Sequence, residues 1–472
     1  MKVVYLHMHL KPGGVTTVIS QQAAAIQDDC SVLVMTGDNP PADFSAPHVR
    51  IDGLGYDTPD FPEKDPPPAE TADAVASAIR QRWPGGCDLI HVHNPLLAKN
   101  SRMLDMLEIL KDKGFTLFLQ IHDFPEDGRP WAYYKNRPYP ADCHYGTINA
   151  RDSRILAQSG LKTEGIHKLF NMVDPIDTTG VDNAAIPTVL YPVRGIRRKN
   201  IGEALLLSLF SPGDIPLAIT LPPNSPLDHA VYDKWQGYAK KNRLNVLFEA
   251  SSHYDFKALV ANAHFLITTS ITEGFGFAFL EPWTAGKMLT GRKLPDICTD
   301  FEAKGINLDH LYDHLFVPMG WLDRDDLEKR WKRCVQSAFG RYGAEIDESF
   351  LANGFEQITR NGRIDFSMLS EPFQQGVMDR LINNANDRDE FKKINPVLSQ
   401  FGNFDAFNQE IESNRKTVSR RFNQNAYRDA LIAAYGNVVS TPVKHEIDRR
   451  MLLRQFLRPE NFSLMKWCDD EL

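Results

Sequence analysis

Glu273 and Glu281 stand eight positions apart, with Gly274-Phe-Gly-Phe-Ala-Phe-Leu280 between them. Ionised carboxylates only accept hydrogen bonds, so such a pair suits a ligand rich in hydroxyls. Upstream, Ala263-His-Phe-Leu-Ile-Thr-Thr-Ser270 reads as a buried strand, which puts the run at a strand's carboxyl end, where open α/β sheets bind ligands. Gly274 and Gly276 permit close backbone approach. The amides around Phe275 and Phe277, at the start of an apolar helix, would then offset a diphosphate's charge without a metal. The arrangement suits a sugar nucleotide, with Glu281 inside the helix for ribose hydroxyls and Glu273 at the loop's entrance for hexose hydroxyls.

A second segment carries the complementary charge. In Tyr191-Pro-Val-Arg-Gly-Ile-Arg-Arg-Lys-Asn200, Arg194 and Lys199 flank a turn between a strand and a helix over residues 201–210. Two fixed cations there suit the β-phosphate of a departing nucleoside diphosphate. Asn200 is positioned to cap the helix, with Glu203 as its partner in a capping box. In the first half, Lys11-Pro-Gly13-Gly14-Val15 follows the first strand and opens a helix, and Gln120-Ile-His122-Asp123 ends another strand. His7 and His9, and His91 and His93, fall at strand ends, each pair on one side because strand side chains alternate. Two imidazoles so placed also suit a metal-dependent hydrolase. That alternative leaves Arg194, Lys199, Glu273 and Glu281 without a purpose, and no metal is required for the charge chemistry they offer. Asp323-Arg-Asp325 and Asp387-Arg-Asp389 match a metal-holding Asp-x-Asp pattern, but acids before helices are accounted for by capping.

Elements that position these residues follow from the hydrophobic periodicity. Short β-rich runs alternate with helical patterns through the first 335 residues, which implies an α/β fold with parallel sheets. Strands are expected near Val3–Leu6, Ser31–Met35, 88–92, 116–121, 187–192, 216–221, 245–248 and 265–269, with helices over 15–26, 72–83 and 102–113 among the first four. Residues 40–68 are rich in Pro and Asp and read as a surface excursion, and 174–183 lack apolar periodicity and read as a linker. The expected division is 1–180, 185–340 and a helical region 341–472 whose last helices pack back on the body; 341–369 show no assignable periodicity.

With 472 residues, 42% hydrophobic and 24% charged, the chain has the makeup of a globular enzyme of two large domains. Six cysteines, at 30, 87, 143, 298, 334 and 468, form no Cys-x-x-Cys pair, and the N-terminus lacks a signal peptide's apolar core, so a cytoplasmic location is expected. A net charge of −8 argues against nucleic acid as a partner. Residues 1–180 hold 17 basic and 23 acidic side chains, which favours a soluble acceptor over an acidic lipid surface. Residues 415–458 hold 10 basic and 3 acidic ones, and the amphipathic stretch 445–458 suits either packing on the body or weak peripheral membrane contact.

The segment 273–281, followed by Pro282-Trp-Thr-Ala-Gly-Lys287, resembles the Glu-x7-Glu signature of retaining glycosyltransferases of the GT-B fold, the large family known as glycosyltransferase family 4-like or glycosyl transferases group 1. Residues 191–200 resemble the family's Gly-Arg-Leu-x-x-Lys-Asn motif, with Val193 in place of glycine, and 169–174 its stretch before the interdomain linker, with Met172 in place of glycine. The resemblance implies two Rossmann-like domains facing across a cleft. It implies transfer of a hexose from a UDP- or GDP-sugar to an acceptor hydroxyl, with retention of anomeric configuration and no further cofactor. Under it Gly13, Gly14, Arg194, Lys199, Glu273 to Phe277 and Glu281 bind the donor; His122, Arg194, Lys199 and Glu273 take part in the chemistry; and His7, His9 and Asn94 line the acceptor pocket. A sugar phosphorylase or a non-catalytic sugar-nucleotide sensor has the same implied fold. Beyond Lys287 the sequence departs from the pattern, and Arg292 or Lys293 would bring extra positive charge to the pocket, so that Arg292→Ala would raise a KM.

Overall fold

The computed structural model describes every residue except 42–43, 59–64, 182–185, 212, 214, 347, 403–406, 461–464 and 467–472. Parts of the surface excursion and of the linker, and Cys468, therefore lie outside the described residues. The chain forms two compact units, Met1–Met172 with Phe422–Phe456, and Val173–Arg421 with Leu457–Leu472.

In the first unit, seven parallel strands are β1 (Lys2–His7), β2 (Ser31–Thr36), β3 (His48–Arg50), β4 (Leu89–His93), β5 (Leu117–Gln120), β6 (His144–Thr147) and β7 (Ile166–Lys168). Their order is β3-β2-β1-β4-β5-β6-β7, so the winding reverses between β1 and β4. The connections carry α1 (Gly14–Ile26), α2 (Pro68–Arg82), α3 (Met103–Asp112) and α4 (Ala150–Gln158). Alternation along β1 explains the two-sided core. Val4 and Leu6 pack with Ile79 and Leu107 on one face, while Val3 and Tyr5 pack with Ile19 and with Leu431 and Tyr435 of the helix Gln424–Ser440 on the other. The second unit holds β8 (Thr188–Arg194), β9 (Leu217–Leu221), β10 (Val246–Leu247), β11 (Ala263–Thr268) and β12 (Leu289–Gly291), all parallel, in the order β10-β9-β8-β11-β12. Its winding reverses between β8 and β11. Here α5 spans Ile201–Ser208, α6 Pro226–Lys241, α7 Phe256–Asn262 and α8 Glu281–Thr284.

Each strand expected from periodicity is present within a few residues, and so are the helices among them. β3, β6, β7 and β12 were not expected, because β3 is exposed along its length, β6 and β7 are short and rich in His, Gly and Lys, and β12 is only three residues long. Past residue 340 the chain is helical and shared between the units. The weakly periodic 341–369 contains the helix Glu348–Ile358 and a strand, Arg363–Asp365, that pairs antiparallel with Phe316–Pro318.

Three local expectations are corrected. The run after Glu273 does not open a continuous helix: Gly276, with φ of 93°, leads into a 3-10 turn at Phe277–Phe279, and α8 is a four-residue helix with Glu281 as its first residue. Phe275 and Phe279 are drawn into the core beside Phe301, and Pro282 lacks the N–H that would tie α8 to the preceding turn. Asn200 does not cap α5. Its left-handed backbone, φ 51°, turns the amide so that Nδ2 donates to Glu203 at 2.8 Å. Residues 445–458 offer no membrane face, since Leu452, Leu453, Phe456 and Leu457 are buried, with Phe456 against Phe124, while Arg450, Arg454 and Arg458 point to solvent. No helix among the described residues is long and apolar enough to cross a membrane. Asp323 caps its helix, accepting from the Asp326 amide at 3.0 Å, and Asp387 lies in a first helical turn and pairs with Arg380.

Candidate functional site

In the second unit the turn after β8 and the loop after β11 emerge on either side of the sheet's winding reversal, where a crevice is expected in open parallel sheets. Side chains bind the two together. Tyr191 Oη donates to the Lys199 carbonyl at 2.7 Å, Thr269 Oγ1 donates to the same carbonyl at 2.9 Å, and the Ile271 amide reaches the Arg198 carbonyl at 2.9 Å. Lys199 is thereby held against Glu273, and Nζ donates to Oε1 in an ion pair whose side chains are 13% and 9% exposed.

Burial pulls the Lys199 ammonium below its ordinary pKa even beside Glu273. Burial alone would raise Glu273, but Lys199 and Arg198 outweigh it and hold that carboxyl below its ordinary range. The first shift reports burial, while the second reports the two cations, Lys199 and Arg198, that face the Glu273 carboxylate. Glu281 is near enough to sense Lys199 and Glu273; burial and then Asp174 raise its pKa. Arg194 ends β8 and donates to the Pro222 carbonyl at 2.9 Å. Gly276 is needed by the fold itself, because a Cβ would meet Ile297 at 2.9 Å and the backbone is left-handed. Phe275 is buried against Phe301 and edge-on to Phe277 at 4.9 Å, so its ring belongs to the core. Gly274 and Phe277 are partly exposed beside it. Arg198 and Asp174 were missed in the sequence reading; the run of three basic residues before Asn200 was the available signal for Arg198.

Arg292 is corrected. It is fully buried, with the guanidinium bridging Glu203 at 2.8 Å and Asp365 at 2.7 Å and Tyr312 Oη bonded to the same glutamate. A side chain committed in this way brings no charge to a pocket, and Lys293 pairs with Glu302 instead.

In the first unit His7 and His93 end the two strands that flank its winding reversal. His7 Nδ1 bonds to the His93 carbonyl at 3.1 Å, and His93 Nδ1 meets His122 Nε2 at 2.9 Å with the rings stacked. Asn94, at φ 51°, accepts from the amides of His122 and Asp123 and so pins that loop; with 4% exposure it is a staple more than a lining residue. His9 is half-buried and bonds to Tyr56. His91 is corrected: it is fully buried and bonds to Tyr435 Oη at 2.8 Å under the helix Gln424–Ser440, away from any strand-end opening. Gly13 and Gly14 lead into α1. Added Cβ atoms there would meet only the Lys11 carbonyl at 3.9 Å and nothing within 4 Å, so the fold does not itself demand glycine. Among the described residues no group of three or more His, Cys, Asp or Glu could hold a metal ion.

Burial keeps this histidine row neutral, driving His7 down to about 3, His122 to about 4, and His91 and His93 well below the ordinary value. In the unfolded chain these rings take up protons near pH 6.5, so between that pH and about 4 the unfolded state binds more protons. Stability is therefore full above about pH 6.5 and is lost as pH falls toward the folded values. Glu126, pushed up to about 7 by burial, acts in the opposite sense but is a single group. Urea denaturation at about pH 7 and about pH 5 is expected to show a loss of more than about 2 kcal/mol at the lower pH, reduced in His122→Gln. Equal stabilities at the two pH values would refute this.

No family model matches the chain. It is 26% identical over 435 residues to mannosylglucosyl-3-phosphoglycerate synthase of Petrotoga mobilis, covering 82% of each chain. Solved structures share the fold at lower identity. A glycosyltransferase of Rickettsia africae aligns at 12% identity with a TM-score of 0.56, over 93% of this chain and 99% of that one. Anabaena Alr3699/HepE, solved in complex with UDP-glucose, aligns at 14% with a TM-score of 0.52, over 92% and 98%. Sucrose-phosphate synthase of Thermosynechococcus elongatus aligns at 13% with a TM-score of 0.50, over 92% and 98%. The α/β architecture with parallel sheets and a helical C-terminal region is thus that of GT-B glycosyltransferases.

Proposed function

We propose that the chain is a glycosyltransferase that moves a hexose from a UDP- or GDP-sugar to a hydroxyl of a small soluble acceptor, with retention of anomeric configuration. The observation that carries this reading is the buried Lys199–Glu273 pair, with Arg198 and Glu281 close enough to act on it, at the winding reversal of a parallel sheet. A diphosphate is the anion such a pocket suits. Arg194 and Lys199 stabilise it as it leaves, Glu281 accepts from the ribose, and Glu273 with the backbone from Gly274 to Phe277 accepts and donates around the hexose. The Petrotoga relative, a mannosylglucosyl-3-phosphoglycerate synthase by name, and the UDP-glucose complex of Alr3699/HepE support a nucleotide-sugar donor. They likewise favour transfer over phosphorolysis.

In the retaining reaction the bond from the anomeric carbon to the diphosphate oxygen breaks while the bond to the acceptor oxygen forms on the same face. The acceptor's proton passes to the leaving diphosphate, so no separate enzymic base is needed. His122, whose Nε2 is occupied by His93, offers Nδ1 to a sugar hydroxyl. In the first unit His7 and His9, with the loop that Asn94 pins, line the acceptor site, and the open space around Gly13 and Gly14 admits phosphate oxygens to the backbone. No metal or cofactor has a role in this reading, because fixed cations supply the charge, and a cytoplasmic location suits the free thiols of Cys30, Cys143 and Cys298.

The test is thermal stabilisation of the purified protein by UDP-, GDP- and ADP-sugars, beside a Glu281→Ala variant. A donor at about 100 times its Kd is expected to add roughly 2.7 kcal/mol, and the variant is expected to lose that gain. Stabilisation by no sugar nucleotide would sink the reading. Stabilisation without turnover over an acceptor panel would leave a sensor.

A further inference from the structure

The row of rings at the carboxyl end of the first unit's sheet does not stop at His7. His7 and His9 lie 5.2 Å apart between centroids, and His9 and Tyr56 lie 5.0 Å apart edge to face. Beyond Tyr56 stands Lys99, whose Nζ donates to Tyr56 Oη at 3.1 Å and sits 5.0 Å from the ring centroid. The row thus runs from His122 through His93, His7 and His9 to a phenol and an ammonium.

The hydrogen bonds fix where the phenolic proton goes. The Lys11 amide donates to His9 Nδ1 at 3.2 Å, which leaves Nε2–H to donate to Tyr56 Oη at 2.8 Å. Tyr56 oxygen therefore accepts from both His9 and Lys99, and its two lone pairs are used. Its own proton must be given elsewhere, and the side chain is 42% exposed. Beside it Lys99 is exposed and pairs with no carboxylate among the described residues. Burial and the charges of Lys99 and Lys11 hold His9 below its ordinary pKa, with only Asp38 opposing, so the neutral tautomer needed for this arrangement is the stable one.

The cluster is also built rigidly. The Asp57 amide donates to the Lys99 carbonyl at 2.8 Å, Asn100 Nδ2 reaches the carbonyls of Gly53 and Gly55 at 2.7 Å each, and the Asp57 carboxylate takes the Ser101 amide. Two loops from different crossovers are thus tied together so that Tyr56 and Lys99 stay side by side. A pre-set O–H donor beside an ammonium is what a phosphate or carboxylate binds with little ordering cost.

Resting on the transferase reading, we infer that Tyr56 and Lys99 dock an anionic group of the acceptor, which is a phosphorylated or carboxylated sugar, at the far end of the ring row from His122. The acidic balance of residues 1–180 sharpens the point, because this local pair runs against it. Glucose, glucose 6-phosphate and glucuronate serve as probes, titrated calorimetrically into the full chain both alone and in the presence of saturating sugar nucleotide. At least one charged probe is expected to bind about ten-fold or more tightly than glucose, and the phosphate and carboxylate arms tell which anion is preferred. Lys99→Gln is expected to erase that preference, Lys99→Arg to restore most of it, and Tyr56→Phe to weaken it about five-fold, with nucleotide binding unchanged in all three. Equal binding of glucose and both charged probes, no measurable binding of either charged probe at millimolar concentration, or a preference that survives Lys99→Gln would each overturn the inference. If a sugar nucleotide binds and the anion preference is absent, only this inference fails. If the preference is present and no sugar nucleotide binds, it is the transferase reading that fails.

Discussion

Replacing Lys199 by alanine is expected to lower turnover about 100- to 1,000-fold at saturating donor, the size of effect seen when one fixed group that stabilises developing negative charge is removed. Lys199 is the cation most firmly aimed at the proposed diphosphate, because its carbonyl is clamped by Tyr191 and Thr269 while its ammonium meets Glu273. The same change leaves Glu273 buried without its nearest partner, so Lys199→Ala will also lower stability. The two consequences are separable. In the double variant Lys199→Met with Glu273→Gln the charges are removed together, and stability is expected to recover while turnover does not. If activity returned with stability, Lys199 would be a structural ion-pair partner and its assignment to the leaving group would fall.

The second large effect is expected at Arg292, and it concerns folding. Removing the guanidinium strands Glu203 and Asp365, both buried, so Arg292→Ala should cost roughly 3–5 kcal/mol in urea denaturation. Burial alone would raise Asp365, yet Arg292 and His314 hold it well below the usual carboxylate range. Its contribution is therefore fully present above about pH 4 and is lost only as the pH falls toward that depressed value. The combination of Arg292→Met, Glu203→Gln and Asp365→Asn should restore most of the loss, since a buried ion cluster is replaceable by neutral groups of similar shape. The sequence alone suggested a pocket cation and a raised KM. A donor KM that rises in Arg292→Ala while stability holds would favour that reading over the buried hub.

Arg292 shows how position in a motif misleads about environment. It lies directly after β12, at the carboxyl end where ligand-binding residues collect, and nothing in its neighbours announces that Glu203 and Asp365, distant in sequence, will close around it. Asn200 is a similar case. The Asn-x-x-Glu spacing is that of a capping box, but the left-handed backbone turns the side chain to the glutamate that Arg292 already holds. His91 and His93 share a strand face, yet the helix Gln424–Ser440 seals the first under Tyr435 while the second bonds outward to His122. Nothing in the sequence links Tyr56 to Lys99, since each is an ordinary loop residue until an amide-to-carbonyl bond sets them side by side.

What the sequence determined by itself was the α/β architecture and the neighbourhood of Lys199, Glu273 and Glu281. The reason is that period-two and period-3.6 hydrophobicity fixes strands and helices locally, and parallel sheets deliver the turns after β8 and β11 to one edge. Only the tertiary structure decided which ionisable groups face outward and which are consumed inside. Burial and pairing depend on residues far apart in the chain, such as Arg292 with Asp365 or His91 with Tyr435, and periodicity carries no information about them.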